Sequence, residues 1–141
     1  MKNTLRLFGI IALAALIGFS FITCSNPTGG GGGGGGGGEG LTVLNCPANS
    51  AAVVYVNAHP TTYLELIDSI GLSKAVASCI NTKSPFSLID DNTHSNFTDT
   101  GQYLVVIITQ DGKERFLEDV DFSNGVANIN FNSMTLSTDL P

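Results

Sequence analysis

The chain has 141 residues, with six Lys and Arg against twelve Asp and Glu, a formal net charge of −6, three cysteines and no tryptophan. This length accommodates one small domain, and we expect no nucleic-acid partner because an acidic surface repels a phosphate backbone. Ten of the seventeen glycines form one unbroken run at 29–38. Composition therefore divides the chain into three unlike segments, residues 1–23, 24–40 and 41–141.

The amino-terminal segment is typical of an export signal. Lys2 and Arg6 precede a sixteen-residue apolar run at 7–22, and the chain turns polar from Thr23. Sixteen residues at 1.5 Å each fall short of the roughly twenty needed to cross a hydrocarbon core. We therefore predict that residues 1–23 are a signal peptide, with a permanent spanning helix as the alternative.

Cys24 follows the apolar run directly. The box Phe21, Ile22, Thr23 and Cys24 resembles the lipobox of bacterial lipoproteins. Its first and third positions depart from the commonest pattern, which has Leu first and Gly, Ala or Ser before the cysteine; spirochaetal lipoproteins tolerate such departures. The resemblance implies that Cys24 is acylated and becomes the first mature residue, which would attach the protein to a membrane of the cell envelope, at the periplasmic or the cell surface. This covalent lipid is the one cofactor expected.

Residues 25–40 form a glycine-rich tether in this interpretation. Glycine loses the most backbone entropy on ordering and has no side chain to bury, so we expect this segment to stay disordered. Counted from Cys24, a coil of this length spans roughly 23 Å. A phosphate-binding glycine loop is the alternative, but it requires a preceding strand, a following helix and usually a lysine, none of which Glu39, Gly40 and Leu41 supply.

The carboxyl-terminal part of the folded segment predicts a hairpin. Residues 127–132 alternate apolar side chains with asparagine, which indicates a strand with one buried and one exposed face. Asn124 and Gly125 precede it, and this pair is the strongest signal for a two-residue hairpin turn. The turn would place two apolar pairs opposite each other, Phe122 with Ala127 and Val120 with Ile129.

Residues 103–109 are apolar on both faces, as expected of a central strand. A two-residue turn at Asp111 and Gly112 would align Ile107 with Phe116 but Val105 with Glu118, which would place a carboxylate in the core. A bulge near Leu117, or a longer loop, would move Glu118 to the rim. A buried catalytic acid is the rarer alternative.

The first half of the folded segment contains further β-rich runs at 41–44, 52–58 and 85–89. A short helix is predicted from a capping box at Thr62 and Glu65, an apolar stripe, and Gly71 as its terminator. Residues 74–80 favour a strand over a continued helix. The fold class is therefore all-β, a small antiparallel β-sandwich of about seven strands with one short helix.

Three blocks, 84–88, 97–106 and 120–131, are similar to a module that recurs in spirochaetal lipoproteins of uncharacterised function. The similarity covers most of residues 41–132 together with the signal. It depends on strand and turn signatures, and it implies no active site.

If Cys24 is acylated, two cysteines remain. Cys46 and Cys79 would lie in an exported compartment, where disulfides persist. A bridge closing a loop of about 33 residues would stabilise the domain by roughly 3 to 4 kcal/mol in the chain-entropy model. The alternative is two small buried thiols that never meet, and both interpretations stay open.

A polar loop at 90–99 carries the remaining ligand candidates. Asp90, Asn92 and His94 lie at alternate positions, with Asp99 close by, in a spacing similar to that of a calcium loop with its oxygen ligands. Ser95 replaces the glycine of an EF-type turn, and no glutamate stands at the twelfth place, so a solvated polar loop is favoured and no metal site is predicted. His59, followed by Pro60, is interpreted as a strand-end residue.

These patterns predict a non-catalytic protein. Two histidines without a nucleophile-elbow motif disfavour an enzyme, and the absence of tryptophan disfavours a sugar-binding sandwich. We expect a membrane-anchored interaction module that binds a protein or host-surface partner. The alternatives are a structural or coat lipoprotein without a specific ligand and, less favoured, a calcium-dependent ligand-binding domain.

Overall fold

The computed structural model describes residues 40–72, 75–82 and 84–141. The predicted signal peptide, Cys24 and all of the tether before Gly40 lie outside these residues. The described strands are β1 (Leu41–Leu44), β2 (Ser50–Val56), β3 (Ala75–Thr82), β4 (Ile89–Asp90), β5 (Gly101–Ile108), β6 (Glu114–Phe122), β7 (Ala127–Asn130) and β8 (Thr135–Leu136). Helix α1 spans Tyr63–Leu72, and two 3₁₀ turns follow β7 and β8 at Phe131–Ser133 and Ser137–Asp139. Within these ranges no helix has the length and apolar character to cross a bilayer.

Six strands form one antiparallel sheet in the order β4-β3-β2-β5-β6-β8, and β1 pairs with β7 in a second, two-stranded sheet. The small sheet packs on one face of the large one, and α1 packs on the other face. The fold is therefore an all-β sandwich with one helix, as the sequence predicts. The β1–β7 pair is parallel, a departure from a purely antiparallel arrangement.

The larger of two apolar clusters lies between the sheets. We call it the inter-sheet cluster; its buried members are Leu41, Val43, Ala52, Val54, Ala77, Cys79, Phe86, Leu88, Phe97, Val105, Ile107, Val120, Phe122, Ala127, Ile129, Phe131 and Met134. A smaller cluster lies under the helix and consists of Val53, Tyr55, Leu66, Ile70, Leu104, Val106 and Phe116. Strands β2 and β5 contribute to both clusters, which explains why β5 is apolar on both faces.

Helix α1 begins with the predicted capping interaction. The Glu65 backbone N–H donates to Thr62 Oγ1 over 3.1 Å. The Glu65 carboxylate accepts from the backbone N–H and the hydroxyl of Thr61, at 2.8 and 2.7 Å, so the return bond goes one residue further back than in a standard capping box. The prediction that Gly71 ends the helix is wrong, because α1 continues to Leu72. The strand predicted at 74–80 is confirmed as β3.

The β5–β6 hairpin has a longer loop than the two-residue alignment requires. Ile107 pairs with Arg115, one position away from the expected Phe116, because residues 109–113 form the loop. The register shifts again between Tyr103 and Val105, where β6 carries an extra residue. Both the longer loop and the bulge that the sequence suggests are therefore present, and Glu118 is only half-buried.

The Asn124–Gly125 turn forms as predicted, with both residues at positive φ (51° and 75°). Ser123 and Val126 exchange backbone hydrogen bonds of 2.9 and 3.1 Å. The predicted pairs beyond the turn, Phe122 with Ala127 and Val120 with Ile129, are wrong, because β7 leaves the large sheet and pairs with β1.

Backbone contacts with residues remote in the chain explain why β7 lies in the small sheet. The Gly125 N–H donates to the Asp99 carbonyl (2.8 Å), and the Ala127 N–H donates to the Gly40 carbonyl (3.1 Å).

The predicted strand at 85–89 is also wrong for the most part, because Phe86 forms a single bridge to Leu41 and only Ile89 enters a strand.

The sandwich has two distinct ends. The first, which we call the Gly40 end, contains Gly40, residues 97–101 and the turn at 123–126. The second, which we call the far end, contains the loops at 45–49 and 109–113. Strand β5 runs from the first end to the second, so its eight residues separate the two ends by about 25 Å.

Candidate functional site

A surface groove of about 350 Å³ lies at the far end of the sandwich. Its walls come from the 45–49 loop, the β5–β6 loop and the start of the first 3₁₀ turn. The apolar part consists of Pro47, Ala48 and Phe131, and the charged part consists of Asp111, Lys113 and Arg115. We call it the far-end groove.

Two cations line this groove in a chain that is acidic overall. The Arg115 guanidinium lies 4.8 Å from the centre of the Phe131 ring, and its Nη1 donates to the Met134 carbonyl over 3.2 Å. Lys113 Nζ lies 3.5 Å from Asp111 Oδ2, with about two-thirds (66%) of its side chain exposed. A guanidinium held in this way keeps further N–H donors for a carboxylate.

Asp111 organises the loop that carries Lys113. Its carboxylate accepts a hydrogen bond from the Thr109 hydroxyl, which lowers the pKa of Asp111. The Thr109 N–H in turn donates to the Lys113 carbonyl over 2.9 Å. The loop therefore has a defined shape beside the groove.

The predicted polar loop at 90–99 uses its carboxylates to shape its own backbone. Asp90 Oδ1 accepts from the backbone N–H groups of Asn92 and Thr93, at 2.9 and 2.6 Å. The Thr93 bond is the main reason that the pKa of Asp90 is lowered. This is an Asx turn, whose acceptor atom already faces two donors.

The other ligand candidates of that loop, His94 and Asp99, make separate hydrogen bonds. The His94 N–H donates to the Asp90 carbonyl with His94 at a φ of 54°, and Asp99 Oδ2 accepts from the Tyr103 hydroxyl at 3.4 Å. Among the residues that the structure describes, the Asp and His side chains of this loop do not meet as a group of three within 4.8 Å. The geometry fits a polar turn.

Three other side chains, those of His59, Glu118 and Asp119, lie close together. His59 Nδ1 lies 3.0 Å from Glu118 Oε2 and 3.7 Å from Asp119 Oδ2. His59 follows β2, and the two acids lie in the β6 bulge. The sequence indicates a strand-end residue at His59 and a rim or core acid at Glu118, and it does not predict their contact. The only available signal was the predicted bulge, because His59 and Glu118 are 59 positions apart and meet only through the β2-β5-β6 pairing.

The two cysteines that are candidates for a disulfide, Cys46 and Cys79, both contact the inter-sheet cluster. Cys79 is buried in the inter-sheet cluster, and Cys46 packs against that cluster from its edge. Burial raises the pKa of Cys46 despite a hydrogen bond with Ser50. The Cys46–Cys79 disulfide stays a prediction, and Cys24 lies outside the described residues.

A scan against protein-family models, a search of curated proteins and a search of solved structures found no match to this chain.

Proposed function

We propose that this chain is a lipid-anchored lipoprotein of the cell envelope whose sandwich is a non-catalytic interaction module. The observation that carries the proposal is the position of Cys24, between the apolar run at 7–22 and the glycine run at 29–38. An export signal, an acylation site and a flexible spacer would have to follow one another in this order, as in the spirochaetal lipoproteins that the segment resembles.

The proposed anchor is strong enough to hold the protein. Each buried CH₂ group of an acyl chain contributes about 0.8 kcal/mol, so two or more chains on Cys24 would give stable attachment. The tether would join the body at Gly40, immediately before β1. A coil of roughly 23 Å would then keep the sandwich clear of the headgroups.

The far-end groove supports the interaction role. It lies about 25 Å from the Gly40 end, so a body tethered at Gly40 is able to present it away from the lipid. Lys113 and Arg115 favour an acidic partner, and Phe131 and Pro47 add apolar contact area. We infer a protein partner that presents a carboxylate side chain to the two cations.

Fatty-acid labelling tests the anchor. Cells that produce the full-length chain are grown with an alkyne-bearing fatty acid, and the purified chain is coupled to a fluorescent azide. The wild type and the control Cys46→Ser should carry the label, whereas Cys24→Ser should not. An unlabelled wild type, or a labelled Cys24→Ser variant, would refute the anchor.

Charge reversal tests the groove. The tethered wild type should enrich an envelope or host-surface protein, Lys113→Glu should lose it, and Lys83→Glu, which changes the net charge equally, should keep it. Equal recovery with both variants would contradict the groove as the binding surface. If the wild type enriches nothing over the variants, the structural or coat alternative is favoured.

A further inference from the structure

We propose that His59, Glu118 and Asp119 form a binding site for a first-row transition metal dication, with Zn²⁺ as the best fit. The site would lie away from the far-end groove, on the part of β6 nearer the Gly40 end. It does not depend on the proposed anchor or on the groove.

The three donor atoms are already close to metal-binding geometry. His59 Nδ1 is 3.0 Å from Glu118 Oε2 and 3.7 Å from Asp119 Oδ2, and all three ligand atoms lie within 4.8 Å of one another. Nitrogen and oxygen ligands about 2.0 to 2.2 Å from a tetrahedral zinc ion are roughly 3.3 to 3.6 Å apart. Small side-chain rotations would therefore be enough to admit the ion.

The β6 bulge is the reason that two consecutive acids reach one histidine. In a regular strand, successive side chains point to opposite faces. Here the register shifts between the pairs Leu117–Val105 and Val120–Tyr103, and Asp119 has a φ of 52°. The bulge turns the Asp119 carboxylate toward the histidine that Glu118 also contacts.

Asn57 fixes the third ligand. The Asn57 side-chain Nδ2 donates to Asp119 Oδ1, and the Asn57 side-chain oxygen Oδ1 accepts from the Asp119 backbone N–H at 3.1 Å. This contact occupies one carboxylate oxygen and leaves Oδ2, the atom nearer His59, for a metal. Such outer partners orient ligands and commonly raise metal affinity.

The donor set selects the class of ion. One imidazole nitrogen with two carboxylates suits zinc and other first-row transition metal dications. Calcium instead takes six to eight oxygen ligands, and magnesium prefers an octahedron of oxygen ligands. Two carboxylates balance the dipositive charge. The side chains of His59, Asp119 and Glu118 are 68%, 49% and 29% exposed, so an ion has direct access and water is able to complete its coordination.

Metal titration distinguishes this site from an ordinary His59–Glu118 ion pair. The full-length chain, purified in detergent and stripped of metal, is titrated with Zn²⁺ by calorimetry at neutral pH, and with Co²⁺ by visible absorption. The wild type should bind one equivalent of Zn²⁺ and develop Co²⁺ bands typical of nitrogen and oxygen ligands. Ca²⁺ and Mg²⁺ should give no saturable binding at this site.

Variants assign the binding to these residues. His59→Ala and Asp119→Asn should each weaken Zn²⁺ binding at least about tenfold, and Asn57→Ala about tenfold. Asn tolerates positive φ, so Asp119→Asn is expected to fold. His94→Asn is the control, because it removes the other histidine of the chain and should leave the affinity unchanged.

Three outcomes would overturn the assignment. The first is no Zn²⁺ binding by the wild type up to millimolar concentration. The second is binding that survives His59→Ala, and the third is binding that falls equally with His94→Asn.

Discussion

The two ends of the sandwich are held together in different ways. At the Gly40 end, backbone hydrogen bonds join Gly40 to Ala127 and Gly125 to Asp99, beside an aromatic trio of two buried rings, Phe97 and Phe122, and the half-buried Tyr103. At the far end, the groove depends on side-chain contacts at the surface, where the half-buried Arg115 stacks on the ring of Phe131 and the exposed Lys113 lies beside Asp111. Substitutions at the Gly40 end should therefore cost stability, whereas polar substitutions at the far end should alter the surface of a folded protein.

The largest effect is expected from Phe122→Ala. The rings of Phe97, Tyr103 and Phe122 contact one another edge to face, with centres 5.3 to 5.6 Å apart. Removing Phe122 leaves a cavity in the inter-sheet cluster, so the free energy of unfolding should fall by about 3 to 5 kcal/mol in urea titrations. Val56→Ala, an exposed apolar control at the same end, should cost less than about 1 kcal/mol. Similar losses of stability for both variants would show that the aromatic trio is not tightly packed at the Gly40 end.

Two glycines with similar φ angles test the difference in packing. A Cβ at Gly125 would lie 2.0 Å from the Phe97 carbonyl oxygen, whereas a Cβ at Gly112 would have no atom within 4 Å. Gly112→Ala should therefore cost only the positive-φ penalty, about 1 to 2 kcal/mol. Gly125→Ala should cost about 1 to 3 kcal/mol more, because the backbone must also move. Equal shifts in the unfolding midpoint would show that the Gly40 end is not tightly packed.

Arg115→Ala tests the side-chain contacts of the far end. The substitution removes the stacking on Phe131 and the hydrogen bond to the Met134 carbonyl, so we expect a loss of about 1 to 2 kcal/mol in unfolding free energy. Lys113→Glu at the same groove should change stability by less than about 0.5 kcal/mol. A loss above 3 kcal/mol for Arg115→Ala would place the far end among the rigid parts of the fold.

The smallest effect is a gain in stability. Burial raises the pKa of Glu114, so the folded state holds this proton more tightly than the unfolded state does. The stability that this proton provides is present at low pH and is lost as pH rises through the folded-state pKa. Glu114→Gln should therefore raise the free energy of unfolding at neutral pH by less than about 1 kcal/mol, since the group still touches solvent, and the gain should vanish below about pH 4.

Glu65→Gln is the matched control with the opposite sign. Hydrogen bonds from Thr61 lower the pKa of Glu65, so its charged form stabilises the helix start at neutral pH. The same substitution should lower the midpoint there, and the loss should disappear as pH falls below the ordinary glutamate range. If Glu114→Gln and Glu65→Gln shift the unfolding midpoint in the same direction at neutral pH, the burial of Glu114 is contradicted.

Local sequence patterns predicted the positions of strands and turns better than they predicted which strands pair. The alternation at 127–132 and the Asn124–Gly125 turn indicated a hairpin, and the turn itself is present. The layer change of β7 could not be predicted from that pattern, because it depends on Gly40 and Asp99, which are remote in the chain. An alternating strand fits either sheet of a sandwich equally well.

The candidate sites show the same limit. The Asp90 loop is conspicuous in sequence because its polar residues are consecutive, yet Asp90 is engaged by the turn that it forms. His59 and Glu118 are separated by two strand pairings, so no spacing rule connects them. The bulge was inferred from the conflict at Glu118, but its effect on Asp119 required the register of β5 and β6.

Intact-mass spectrometry of the chain extracted from the membranes of the producing cell tests the central claim most directly. A lipid-anchored sandwich predicts a polypeptide that begins at Cys24 and carries added mass equal to two or more acyl chains. An unmodified polypeptide that still begins at Met1 would contradict the account.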